Sequence, residues 1–187
     1  MNEAVRKARV VECFGRRVIV ELAESGERVP AEMFGKRLSC VCGDEVAVRD
    51  ASQAGDVPRV VEIKSRRALF ARTDSRGRTE PLAANLSLLA VIVAPEPPPD
   101  PFITDRYLAG AAYAGVASLV VVNKADLPSA QDDEFARLMD EYRQAEYRVV
   151  ALSARDAATI EPLRDHLRER TTMFVGQSGV GKSTLTN

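Results

Sequence analysis

The second half of the chain carries the run Gly176-Gln177-Ser178-Gly179-Val180-Gly181-Lys182-Ser183-Thr184. This run follows the apolar residues Met173–Val175 and matches the pattern of a phosphate-binding loop between a strand and a helix. Its glycines allow successive backbone N–H groups to face phosphate oxygens, and the following helix adds the positive end of its dipole. We predict that all nine residues contact a nucleotide. In particular, Lys182 reaches its β- and γ-phosphates, and the Ser183 hydroxyl binds Mg²⁺.

A second motif, Asn123-Lys124-Ala125-Asp126, follows the apolar run Leu119–Val122. Ligands bind beyond the carboxyl ends of strands in open α/β sheets, so we expect this motif at the same edge as the phosphate loop. The Asp126 carboxylate can accept from both N1–H and the 2-amino group of guanine. A buried carboxylate facing adenine would stay unpaired, which costs about 1–3 kcal/mol. We predict that Asp126 selects guanine, that Lys124 lays its stem against base or ribose, and that Asn123 ties the two loops together.

A third candidate loop, Ser153-Ala154-Arg155, follows the apolar run Val149–Leu152. The interval from Asp126 to this loop leaves room for one helix and one strand. We predict that Ser153 and Ala154 contact the base, with the backbone N–H of Ala154 donating to guanine O6, which adenine lacks.

The region around these motifs alternates apolar strands with helices, which predicts a parallel α/β sheet. In ordinary P-loop GTPases the phosphate loop precedes the guanine-reading motif, and here the order is reversed, as in a circularly permuted domain. A proline-rich segment, Pro95–Pro101, is expected to be a loop within this domain because proline disrupts a helix interior. The predicted strands are Leu86–Ala94, Leu119–Val122, Arg148–Leu152 and Met173–Val175, and the predicted helices are Thr104–Gly115 (capped by Thr104 or Asp105), Asp132–Ala145 and Ile160–Arg168.

The front of the chain instead shows short β-strands broken by glycine turns, which favours a small barrel. A five-stranded OB-fold fits best, and an SH3-like barrel is the runner-up. We therefore predict an OB domain over residues 1–66, a basic connector over 67–85 and a P-loop GTPase domain over 86–187. The predicted strands are Arg6–Cys13, Arg17–Leu22, Arg28–Met33, a fourth from Ser39 through Arg49, and Arg59–Ile63.

Composition sets broad limits on function. Residues 1–78 contain 16 Lys/Arg and 12 Asp/Glu, and this mild basic excess fits contact with a polyanion. No apolar run is long enough to span a membrane, and no signal-peptide core follows Met1. The three cysteines are an odd number and suggest a reducing compartment. We interpret Cys40 and Cys42 as buried strand thiols and not as metal ligands.

The inverted motif order behind a small barrel resembles one family, the circularly permuted, ribosome-associated P-loop GTPases stimulated by the small ribosomal subunit. The resemblance covers nearly the whole chain. The sequence of the phosphate loop, residues 176–184, is much more specific than the generic phosphate-loop motif. The stretches that carry it are Gly43–Val46, Pro81–Leu86 through Ile92-Val93, Asp105–Leu108, Val122–Asp126 and Val175–Leu185.

The resemblance implies a cytoplasmic, monomeric enzyme that hydrolyses GTP to GDP and phosphate during late maturation of the 30S subunit. It implies an OB domain that contacts 16S rRNA, bound GTP or GDP with Mg²⁺, and a C-terminal zinc-binding domain. In that family the switch regions and a Cys/His zinc cluster follow the phosphate loop, and this sequence contains neither. We therefore expect an N-terminal portion with an incomplete GTPase domain, and we assign no catalytic residue.

Two alternatives remain open at this stage. The chain could act only as a binding module for guanine nucleotide and rRNA, without hydrolysis. It could also be an ATP-using P-loop protein in which the Asn-Lys-Ala-Asp run is accidental.

Overall fold

A computed structural model describes residues 5–35, 39–51, 56–73 and 76–186. Residues 1–4 and 187, at the outer limits of the predicted domains, lie outside the described residues. The chain divides into two compact units, residues 1–85 and 86–187. None of the helices in the described part of the chain is long and apolar enough to cross a membrane.

The first unit contains a closed five-stranded barrel with the strand order β1-β2-β3-β5-β4. The β3–β5 pairing is parallel and the other pairings are antiparallel. Alternate side chains point inward, as a half-buried strand requires; Val10, Val20 and Val48 are almost fully buried. The prediction of an OB-like barrel is confirmed. Its strands are β1 (Val5–Phe14), β2 (Arg17–Leu22), β3 (Arg28–Met33), β4 (Glu45–Arg49) and β5 (Arg59–Ile63).

The stretch before β4 differs from the prediction, because residues 39–41 form no strand. Side chains engage their backbone groups instead: Asp44 Oδ2 accepts from the N–H of Val41 at 2.9 Å, and Arg66 Nη2 donates to the carbonyl oxygen of Ser39 at 3.1 Å. The thiol of Cys40 is buried and that of Cys42 is half-buried. Cys42 lies outside the named strands and forms an isolated parallel β-bridge with Ala83.

Residues 67–85, predicted as a connector, contain an antiparallel hairpin of β6 (Leu69–Thr73) and β7 (Thr79–Ala84). The arginines of this hairpin obscure the alternation of apolar and polar residues that would predict strands from the sequence. Phe70, Ala83 and Ala84 are nevertheless buried. The hairpin is joined to the turn before β4. Asn85 Nδ2 donates to the carbonyl oxygen of Gly43 at 2.9 Å, and a Cβ on Gly43 would overlap the carbonyl oxygen of Ala84.

A buried ion pair lies beside this junction. The Asp44 side chain is fully buried, and Arg66 donates to both of its carboxylate oxygens, at 2.7 and 2.9 Å. With the Val41 N–H, three donors compensate a charge that burial alone would make very unfavourable. The segment after β5 is therefore held to the turn before β4.

The second unit is a parallel four-stranded sheet with the order β10-β9-β8-β11, flanked by helices. This confirms the predicted α/β sheet and puts the strand that precedes the phosphate loop at the edge of the described sheet. All six residues of β8 are buried. The elements are β8 (Leu88–Val93), α1 (Pro101–Tyr113), β9 (Ala117–Val122), α2 (Asp133–Gln144), β10 (Val149–Ala151), α3 (Glu161–Leu167), β11 (Thr172–Gly176) and α4 (Lys182–Thr186).

Helix α1 begins three residues earlier than predicted. Asp100 is its N-cap and accepts from the N–H of Phe102 at 3.0 Å, so the predicted caps Thr104 and Asp105 are wrong. Pro101 occupies the first helical position, where its missing N–H has no intrahelical partner to lose. Proline disrupts the interior of a helix, and for this reason residues 95–101 were predicted as a loop. At the first helical position, however, proline is compatible with the helix.

We predict that Asp44→Asn lowers the free energy of unfolding of the barrel unit by about 1–3 kcal/mol, because Arg66, which is half-buried, loses its counter-charge and a charged acceptor. Glu45→Gln is the matched control, since Glu45 pairs with Arg67 at the surface and such pairs contribute about 0–1 kcal/mol. Urea unfolding followed by circular dichroism measures both. Equal losses in the two variants would contradict the structural role of the buried pair.

Candidate nucleotide-binding site

The three predicted loops meet at the carboxyl edge of the four-stranded sheet. They line a cleft of about 210 Å³. Parallel strands end at the same edge, which is why motifs far apart in sequence become neighbours. The lining residues are Asn123, Lys124, Asp126, Leu127, Ser153, Ala154, Arg155, Gly181 and Thr184.

Asn123 joins the three loops. It is 2% exposed, its Nδ2 donates to the carbonyl oxygen of Val180 at 2.8 Å, and its Oδ1 accepts from the N–H of Ala154 at 3.0 Å. One amide thus satisfies one backbone group in each of the other two loops. The tie between Asn123 and the phosphate loop is present, as the sequence indicated. The second bond, to Ala154, was not foreseen.

That second bond changes how Ala154 can act. Its backbone N–H, predicted to donate to guanine O6, already donates to Asn123 Oδ1. A contact with O6 would therefore have to share this hydrogen or displace the Asn123 oxygen. Thr159 stabilises the Ser153-Ala154-Arg155 loop. Its Oγ1 accepts from the N–H of Ser153 at 2.9 Å and donates to the carbonyl oxygen of Ser153 at 3.0 Å.

The phosphate loop follows β11 and is shaped by its glycines. Gly176, Gly179 and Gly181 all have positive φ values. A Cβ on Gly181 would overlap Asn123 Nδ2, and one on Gly176 would overlap the carbonyl oxygen of Ile92. The loop therefore lies too close to β8 and to the loop after β9 to accept a larger residue at either position.

The remaining predicted phosphate-loop residues occupy distinct environments. Val180 belongs to the hydrophobic core, so only its backbone can face a nucleotide. Ser178, Ser183 and Thr184 are exposed. Lys182 Nζ donates to the carbonyl oxygens of Gly176 and Gln177, at 3.0 and 2.8 Å, and so folds back over its own loop.

The proline-rich segment forms an outer wall that the sequence did not assign to the site. Lys124 Nζ donates to the carbonyl oxygen of Glu96 at 2.7 Å, and Gln177 Oε1 accepts from the N–H of Asp100 at 3.3 Å. Pro97 lies against Gly179. The segment therefore contacts both the guanine-reading motif and the phosphate loop. No local sequence signal marks these contacts, since they depend on how the loop folds over the sheet edge.

Comparison with known proteins decides the family. The model of the RsgA GTPase family matches residues 63–187, about two thirds of the chain. This chain belongs to the RsgA GTPase family. It is 37% identical to the small ribosomal subunit biogenesis GTPase RsgA of Chromohalobacter salexigens, over 96% of this chain and 53% of that protein. It is also 37% identical to the protein of that name from Azotobacter vinelandii, over 95% of this chain and 52% of the relative.

Solved structures agree with this membership. The crystal structure of YjeQ from Thermotoga maritima matches with a TM-score of 0.75 at 26% identity, covering 98% of this chain and 64% of that one. YloQ, described as a circularly permuted GTPase, matches with a TM-score of 0.69 at 20% identity, over 97% and 63% of the two chains, and supports the fold alone. The chain spans about half the length of the curated relatives it matches.

Asp126 lies exposed at the mouth of the cleft, whereas the sequence-based prediction of guanine selectivity requires a buried carboxylate. The Ser153 hydroxyl, by hydrogen bonding, holds the pKa of the Asp126 carboxyl below its ordinary value, and Arg155 acts in the same direction. The residue is therefore ionised at neutral pH, as an acceptor for two N–H donors must be.

The residues at the start of α4 fit a nucleotide-bound magnesium ion. Mg²⁺ in such sites takes one or two protein oxygens and completes its shell with phosphates and water. Ser183 offers an exposed hydroxyl in the first turn of α4, next to Lys182. Among the described residues no three His, Cys, Asp or Glu side chains converge as a metal site.

We predict that Ser153→Ala raises the pKa of Asp126, because it removes the largest cause of the depression. In the parent chain the carboxylate should persist as pH falls below about 3.9, the ordinary pKa of aspartate, and protonate only at lower pH. In the variant protonation should begin at higher pH. NMR titration of the Asp126 carboxyl carbon measures both, with Ser129→Ala as the control. An unchanged pKa in Ser153→Ala would contradict the assignment.

Gly181→Ala should weaken guanine-nucleotide binding by at least about tenfold, because the new methyl group displaces the Asn123 amide that joins the loops. Gly115→Ala is the matched control. Gly115 also has positive φ, but a Cβ there meets nothing within 4 Å. Both variants should lose about 1–2 kcal/mol of stability from the left-handed backbone. Titration with fluorescent GDP should separate them, and equal affinities would refute the steric argument.

Proposed function

We propose that this chain binds GTP and GDP and acts as a GTP-hydrolysing factor in late maturation of the 30S ribosomal subunit, with hydrolysis stimulated by the small subunit. Its curated relatives carry the name small ribosomal subunit biogenesis GTPase. The observation that carries the nucleotide part is the convergence of phosphate loop, Asn-Lys-Ala-Asp motif and Ser-Ala-Arg loop on one buried residue, Asn123.

Guanine selectivity is assigned to Asp126. Its depressed pKa keeps the carboxylate ionised. Asp126 lines the cleft, where its two oxygens could accept from N1–H and the 2-amino group of guanine. Adenine presents no such pair of donors, so its binding would leave the carboxylate without the partners that guanine supplies. Lys124 is held beside the cleft by the Glu96 carbonyl, where its aliphatic stem can cover one face of the base.

Phosphate recognition is assigned to residues 176–184. In the structure Lys182 donates hydrogen bonds to carbonyl oxygens of its own loop. Bound phosphates would offer this ammonium stronger acceptors, and we propose that it turns towards them. Ser183 would hold Mg²⁺, which supplies charge neutralisation between the phosphates when bound. Gln177, Ser178 and Thr184 would line the same loop.

The barrel unit is the proposed contact with 16S rRNA. Phe14 and Phe34 are 64% and 55% exposed at the end where β1 turns into β2 and β3 ends. Arg59 stacks over the Phe34 ring at 5.5 Å, and Arg16 donates to the carbonyl oxygen of Met33 at 2.6 Å. Exposed aromatic rings interleaved with arginines suit unstacked bases next to phosphates.

The remaining proposals follow from the family. We propose that the protein works in the cytoplasm, where ribosomal subunits mature, and as a monomer. The zinc ion implied by the resemblance belongs to a separate C-terminal domain of the family. No cysteine cluster with zinc-ligand geometry is found in the described part of this chain.

Base selectivity tests the nucleotide assignment. We expect fluorescent GDP to bind at least about a hundredfold more tightly than fluorescent ADP, because a site built to hydrogen-bond a base rejects one that lacks the partner groups. Asp126→Asn should shift the preference from guanine towards xanthine nucleotides. Asp140→Asn, a surface carboxylate on α2, is the control and should change neither affinity. Unchanged guanine selectivity in Asp126→Asn would refute the role given to Asp126.

Turnover tests the enzymatic part. GTP hydrolysis should be slow for the chain alone and rise when purified small subunits are added. GDP binding without stimulated turnover would instead support the binding-module alternative. Tight ADP binding would support the ATP-using alternative.

A further inference from the structure

The second unit carries a groove on the outer side of the proline-rich segment, between that segment and helix α2. It is a cavity of about 380 Å³, within the size range of clefts that bind small ligands. We call it the proline groove. It is lined by Pro95, Pro98, Pro99, Pro101, Ser129, Asp132, Glu134, Phe135, Arg137, Leu138 and Glu141.

The floor of the proline groove is apolar. Phe135 is buried below it, and Leu138, half-buried, comes up from α2. On the other wall Pro98 and Pro101 are exposed and Pro99 is half-buried. Proline rings are rigid and lack N–H groups, so this wall is pre-shaped and loses little entropy when a partner covers it.

The rim is acidic. Asp132, Glu134 and Glu141 stand around the groove, against the single cation Arg137, whose Nε lies 3.8 Å from a carboxylate oxygen of Glu141. Asp132 precedes α2 but makes no capping hydrogen bond with its side chain. Within the described residues, neither Asp132 nor Glu134 has an ion-pair partner.

Helix stability accounts for only part of this acidity. Carboxylates in the first turn, such as Glu134, are favoured by the helix dipole. Glu141 lies in the last turn, where the dipole disfavours a negative charge. Its pairing with Arg137 has the cation on the N-terminal side, the weaker orientation. The helix dipole therefore does not account for the negative charge at Glu141.

We propose that the proline groove binds an extended, Lys- or Arg-rich protein segment that inserts an aliphatic or proline side chain between Leu138 and the proline wall. Charge complementarity selects this occupant: three carboxylates around an apolar floor attract ammonium and guanidinium groups and repel phosphates. An RNA strand is therefore disfavoured on this face, and flanking basic side chains would pair with Glu134 and Glu141 while the anchor fills the floor.

The groove is also connected to the nucleotide site. Ser129 lines it and donates to the Glu96 side chain at 2.6 Å, and the Glu96 carbonyl holds Lys124. Pro97, in the same segment, lies against Gly179 of the phosphate loop. A bound segment would thus contact one side of residues 95–101, and the other side of these residues contacts the predicted nucleotide-binding loops.

A direct binding experiment tests the proposal with the 187-residue chain and no nucleotide, so its result is independent of the proposed GTPase function. The probe is a fluorescein-labelled peptide of two Lys-Pro-Leu-Lys repeats, followed by anisotropy. We expect binding with a Kd below about 1 mM and no binding of the peptide with Glu in place of every Lys. The double variant Glu134→Lys/Glu141→Lys should raise the Kd at least about tenfold.

Asp133→Lys/Asp140→Lys is the matched control, because it makes the same charge change on the same helix at positions that do not line the groove. It should alter the Kd less than about threefold. In ¹⁵N-labelled chain the peptide should shift amide signals of residues 95–101 and 132–141. Equal weakening by both double variants, shifts elsewhere, or displacement of the peptide by ten-nucleotide oligouridine would each overturn the proposal.

Discussion

The candidate site depends on the side-chain amide of Asn123. A buried amide has to satisfy both its donor and its acceptor, and among the described residues its hydrogen-bond partners are backbone groups of two other loops. Three loops that come from separate strands are thereby held at fixed distances before any ligand arrives. Preorganisation of this kind lowers the entropy that nucleotide binding would otherwise have to overcome.

The same close approach explains the glycines of the phosphate loop. Gly181 lies where the Asn123 amide needs space, and Gly176 lies against the backbone of the neighbouring strand β8. Their residue type is therefore set by packing against the sheet as well as by the turn that phosphate binding requires. Thr159 contributes in a similar way, because its hydroxyl satisfies both backbone groups of Ser153 and keeps that loop in place.

In the barrel unit, too, one buried polar side chain joins separate segments of the chain, and here that side chain is a charged carboxylate. Asp44 is fully buried, and the donors that compensate it come from segments on either side in the sequence. The turn that contains Asp44 also anchors the β6–β7 hairpin through Gly43 and Asn85. A stretch rich in arginine thus folds as part of the unit. The sequence of this stretch shows little apolar periodicity, because few of its residues are buried and polar contacts make the junction. It was therefore predicted as a connector.

Much of this protein follows from its sequence alone. Strand and helix periodicity predicted the five barrel strands and the parallel sheet, because burial on one face or on both leaves a local pattern. The nucleotide motifs were recognisable because their chemistry needs particular residues at fixed spacing. Tertiary structure alone decided the exposure of Asp126, the engagement of Ala154 by Asn123, and the wall formed by residues 95–101. These features depend on contacts between residues distant in sequence, and such contacts leave no periodicity or motif for the sequence to display.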